Sequence, residues 1–104
     1  MANLQQFDVT LTVAGTAQKL SVNIERVISV IIRPRSTNSG TIWVGNSAVT
    51  ASTETGIEAT SSSPYVINPS GAAGELEEIS LSAIFFDGTN TSDIIHVQYL
   101  VADQ

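Results

Sequence analysis

A two-residue rhythm restricts this chain more than any other feature. In FDVTLTV, residues 7–13, Phe7, Val9, Leu11 and Val13 alternate with Asp8, Thr10 and Thr12. That is the period of an extended strand with one apolar and one wet face, not of a helical stripe. The rhythm returns near the other end in DIIHVQYLVA, residues 93–102. There Ile95, Val97, Tyr99 and Val101 fall on one face and Ile94, His96, Gln98 and Leu100 on the other. Half-buried strands therefore bracket the chain.

Between them, apolar runs and turn signals take turns. After the Gly15–Thr16 turn, AQKLSV predicts a short strand with Leu20 and Val22 inward. VISVIIRPR, residues 27–35, is the most continuously apolar stretch, β-branched and ended by Pro34; it reads as a central strand covered on both faces. STNSG supplies a turn through Asn38 and Gly40, so that VIIRP and the following TIWVG are expected to pair as antiparallel neighbours. Residues 46–63 read as a long polar loop, edged by short strands and anchored by Val49 and Ile57. PYVIN makes another strand, PSGAAG a turn, and ELEEISLSAIFF two short strands with an irregular link. About eight short strands separated by turns define an all-β chain, an antiparallel β-sandwich or a small barrel.

The residue palette agrees, with Val, Ile, Leu and Ala making most of a 42% apolar share and Ser, Thr and Asn filling the gaps. At 104 residues this is a single domain, 1–104, of a size that buries roughly two thirds of its unfolded surface. MANLQQ, residues 1–6, is too polar and short for a core element and is expected to be an extended arm that orders on a neighbour. It has no basic and apolar leader pattern, and no apolar run approaches the roughly 18 residues of a membrane span.

The same inventory narrows the chemistry. Ten carboxylates against four basic side chains give a net charge of −6, which repels nucleic acid and anionic lipid. With no Cys and one His, a side-chain zinc site lacks ligands. Asp87, Asn90 and Asp93 in DGTNTSD read as a turn rather than a calcium loop, because the glycine placement and terminal Glu of an EF-hand are missing. His96 has no nucleophile elbow to serve and reads as a structural or interface residue. Glu75, Glu77 and Glu78 read as a solvated face rather than a glycosidase pair. No catalytic residue, metal or cofactor is expected.

Two features point toward a partner instead. Arg26, Arg33 and Arg35 are three of the four basic residues and lie within ten positions of each other. They are either a solvated strand end or a patch whose planar guanidinium groups pair with carboxylates on another subunit. The only tryptophan, Trp43, sits in SGTIWVGNSAVT, where alternation puts Ile42 and Val44 on one face and Trp43 on the other. Trp43 is expected to face a subunit boundary with Arg33 and Arg35 as companions; the alternative is a second buried face.

The order ISVIIRPRSTNSGTIWVGNSAVT, a glycine-containing turn before GELEEIS, then LSAIFFDG and DIIHVQYLVAD, resembles small tailed-bacteriophage virion proteins of the decoration or cement type over residues 27–102. The 51–64 loop is longer and richer in Ser and Thr than that pattern, and Trp43 stands where Tyr is usual. The resemblance implies a jelly-roll sandwich made in the host cytoplasm that binds the major capsid protein on the outer surface of the assembled virion capsid. It also implies a homotrimer without enzymatic activity. Such a protein works by mass action, stabilising the assembled lattice it prefers, and by avidity over many copies. The rival expectation is a carbohydrate- or receptor-binding module of a phage fibre, tail or baseplate, with Trp43, Tyr65 or Tyr99 stacking on sugars. A small β-barrel esterase or isomerase is the remaining rival.

Overall fold

The structure, a computed structural model, describes residues 3–21, 24–67 and 79–101. Its strands are β1 (Asn3–Thr10), β2 (Gln18–Lys19), β3 (Val27–Pro34), β4 (Ile42–Gly45), β5 (Ile57–Ala59), β6 (Tyr65–Ile67), β7 (Phe85–Gly88) and β8 (Ile94–Val101). They form two antiparallel four-stranded sheets, ordered β1-β8-β3-β6 and β2-β7-β4-β5. β1 pairs β8, β2 pairs β7, β3 pairs β6 and β4 pairs β5. The two halves of the chain are thus the arms of one long hairpin. The β3–β8 and β4–β7 pairings roll that hairpin into a sandwich, which is a jelly-roll winding. The expected all-β antiparallel sandwich is the fold, and the barrel alternative drops out.

The core lies between the sheets. Val30 and Ile32 of β3 and Ile95 and Val97 of β8 face Ile42 and Val44 of β4 and Phe86 of β7, all fully buried. Leu11, Leu20, Leu81 and Ile84 from the connections close the cluster. Phe7 and Tyr99 pack edge to face at its margin, 5.8 Å between centroids, the arrangement that aromatic quadrupoles favour.

Several expectations change. β3 is internal to its sheet but covered on one face only: Val30, Ile32 and Pro34 are buried while Ile31 and Arg33 are exposed. β3 and β4 do not pair; their connection crosses from one sheet to the other, because β3 is taken by β8 and β6 and β4 by β7 and β5. Residues 3–6, expected as an arm, are the first half of β1, with Leu4 opposite Leu100 and Gln6 opposite Gln98. Backbone pairing to a long neighbour strand orders a segment whose side chains alone would not. In the 46–63 loop Val49 is buried as expected, but Ile57 is 57% exposed, and Ala51 and Ala59 are the other anchors. The segment before β7 holds a 3-10 turn, Leu81–Ala83, capped by the Ser80 hydroxyl accepting from the Ser82 N–H. Val22, the PSGAAG turn and Glu75, Glu77 and Glu78 lie outside the described residues.

Two buried carboxylates fix the loops. Asp87, fully buried, accepts from the backbone N–H groups of Gly15 and Ala51, each at 2.8 Å. Asp93 accepts from the N–H groups of Ser39 (3.1 Å) and Gly40 (2.8 Å). The Asn38 amide exchanges two hydrogen bonds with the Ile94 backbone, at 2.8 and 2.9 Å, as a strand residue would. The β3–β4 turn is therefore tied to the start of β8, and this tie positions Arg35.

Candidate functional site: the outer face of the longer sheet

Strand alternation turns one side of the β1-β8-β3-β6 sheet away from the core. Register places Leu4, Leu100 and Ser29 in one row across β1, β8 and β3, and Gln6, Gln98, Ile31 and Val66 in the next, which extends onto β6. Asp8, His96 and Arg33 form the third. Leu4 (58%), Ile31 (37%) and Val66 (45%) are three of the most exposed large apolar side chains. An apolar groove of about 280 Å³ runs along Leu4, Ser29, Ile31, Gln98 and Leu100. Aliphatic and uncharged polar side chains share two rows of the face, and the third is charged.

The charged row is organised by Asp8. Its Oδ1 lies 2.8 Å from His96 Nδ1, and its Oδ2 is bound by the Arg35 guanidinium. An ionised carboxylate only accepts, so Nδ1 of His96 carries the proton and Nε2 is left for other contacts. The His96 hydrogen bond, followed by that of Arg35, holds the Asp8 carboxyl below the ordinary aspartate range. Arg35 comes from the turn after β3, His96 from β8 and Asp8 from β1, so three elements close on one carboxylate. Arg33 stands on the far side of His96 and makes no ion pair with a described residue.

The structure brings Arg33 and Arg35 together around one open hollow, with Ser36, Thr37 and His96. It separates Arg26 from them: Arg26 precedes β3 at its other end, about 20 Å away at the strand's rise per residue. Its φ of 62° is left-handed. Trp43 alternates with buried Ile42 and Val44 and is half-buried on the outer face of the other sheet, between its register neighbours Glu58 and Asp87. Within the subunit Arg33 is on the other sheet, while Arg35, in the β3–β4 connection, shares a hollow with Glu58 beside Trp43.

Asp87 and Asp93, weighed as calcium ligands, spend their oxygens on backbone N–H groups. Among the described residues no three His, Cys, Asp or Glu side chains gather as metal ligands. His96 and Asp8 make the orienting half of a triad, but no described hydroxyl bonds to His96 Nε2. Sequence reasoning missed Asp8, Leu4, Ile31 and Val66. The signal for Asp8 was its place on the wet face of FDVTLTV, but its partner is 88 positions away.

Neither a family model nor a curated protein nor a solved structure matches this chain.

Proposed function

We propose that this chain is a non-enzymatic assembly protein that docks by the outer face of its β1-β8-β3-β6 sheet onto an ordered protein shell. In this reading it is a decoration protein of a tailed-phage capsid, acting as a homotrimer on the outer surface. The carrying observation is the exposure of Leu4, Ile31 and Val66 on one sheet face, continuous with a charged row. Clustered exposed aliphatics with a polar border are the mark of a protein contact. The order of sequence segments that resembles capsid decoration proteins supplies the kind of partner, and a jelly roll suits that role without requiring it.

A decorating oligomer needs two surfaces, one for its own copies and one for the shell. Trp43 lies on the opposite outer face and serves the first; the Leu4–Ile31–Val66 face serves the second. Binding to assembled shell and not to free capsid protein makes the stabilisation a matter of mass action. The test is co-sedimentation with shells of the cognate major capsid protein that lack this chain, alongside mass photometry of the free protein. Saturable co-sedimentation by a trimer is the expected result. A monomer that stays in the supernatant overturns the reading.

A further inference from the structure

We propose that Arg33, Arg35 and His96, with the Ser36 and Thr37 hydroxyls, form a carboxylate-binding pocket at the charged end of this face, made to receive an acidic side chain of a docked protein. The proposal deepens the docking reading and rests on it only for the origin of the carboxylate.

The hollow these five residues line has a volume of about 300 Å³ and opens to solvent. Its donors are the Arg33 and Arg35 guanidinium groups; His96, whose proton is on Nδ1, contributes its ring as wall and lies close enough to report on an occupant. Arg33 sits directly across from His96 on the adjacent strand, a spacing at which side chains on one face reach each other. Its guanidinium has no ion partner among the described residues. Arg35 spends one nitrogen on Asp8, and a guanidinium has five N–H donors, so several remain. Asp8 engages Nδ1 of His96 at 2.8 Å and thereby fixes the ring, with Nε2 on the edge away from Asp8.

Asp8 also explains why the pocket is not already filled from within. Bound on one oxygen by His96 and on the other by Arg35, it acts as the buttress that orients both, as a carboxylate behind a ligating histidine does. Arg33 is then a cation without an ion partner among the described residues, in a protein of net charge −6. A planar guanidinium accepts a carboxylate in two parallel hydrogen bonds, which gives direction as well as attraction. One row away stand Ile31 and, beside it on β6, Val66. The ligand that suits both the guanidinium groups and these neighbours is an Asp or Glu side chain flanked by aliphatic residues.

The experiment follows the His96 ring resonances while N-acetylglutamate amide is titrated into the free protein, with N-acetylglutamine amide as the uncharged control. A saturable shift with the glutamate compound alone is expected. It should weaken at least fivefold in Arg33→Gln, fall to an intermediate strength in Arg33→Lys, which keeps the charge but not the two parallel hydrogen bonds, and be unchanged in Lys19→Gln, which removes the same charge from the other sheet. Equal shifts with the glutamine compound, an unchanged response in Arg33→Gln, or an equal loss in Lys19→Gln overturns the pocket. Because no shell is present, that failure is separate from failure of the docking reading, which is read with Leu4 and Ile31 variants on shells. A dispersed amide spectrum for each variant certifies its fold.

Discussion

Asp8 and Asp87 are both carboxylates held by donors, but in different surroundings. Asp8 is exposed, and the hydrogen bonds from His96 and Arg35 hold its carboxyl below the ordinary aspartate range. A depressed folded pKa contributes stability that is present above the unfolded value of about 3.9 and is lost as pH falls through the folded one. Acid unfolding curves below pH ~4 should therefore converge for wild type and Asp8→Asn, with the wild type ahead at neutral pH. A difference that persists unchanged to the lowest pH would contradict the assignment. Asp87 is buried, and its two acceptor oxygens hold Gly15 and Ala51. Asp87→Ala leaves both N–H groups without their partner and should cost about 3 kcal/mol in urea unfolding. A loss under about 0.5 kcal/mol would mean that water replaces the carboxylate.

The strands themselves were legible because alternation is local. FDVTLTV supplies the second half of β1, which ends at Thr10 and leaves Val13 exposed rather than inward, and β8 followed DIIHVQYLVA, with Ile95 and Val97 inward as the period required. Pairing was not legible, since a jelly roll joins segments from opposite ends of the chain and nothing in VIIRP or TIWVG says that each belongs to a different sheet. The outward placement of Ile31 was hidden for the same reason. Three aliphatic residues in VII look like a strand buried twice until the neighbours of β3 are known. The charged row was half legible: Arg33 and Arg35 stood out by charge, whereas Asp8 acquired meaning only through the register that sets it against His96. Gly88 of β7 shows what packing adds. A Cβ there would lie 2.9 Å from both Ile42 Cδ1 and Leu11 Cδ2, so Gly88→Ala should destabilise by about 1–3 kcal/mol through overpacking, measured by denaturant unfolding. Neutral behaviour would mean that the two sheets separate slightly at little cost.

At the scale of the whole molecule, the sandwich presents two unlike outer faces, one carrying Trp43 and the other carrying Leu4, Ile31, Val66 and the Asp8–His96–Arg33 row. A chain that docks and self-associates through separate faces should lose the two properties separately. Ile31→Asp, at an exposed site, should change stability by less than about 1 kcal/mol and abolish co-sedimentation with shells while the oligomer seen by mass photometry persists. Trp43→Ala should do the reverse, lowering the oligomer and, by loss of avidity, weakening shell binding only in part. If both variants fail together in both assays, one surface serves both purposes. A cryo-electron microscopy reconstruction of shells saturated with the protein shows directly which face meets the capsid. The expected result is a Leu4–Ile31–Val66 face buried against capsid protein with an acidic side chain at Arg33; a bound protein whose β1-β8-β3-β6 face looks into solvent contradicts docking by this sheet.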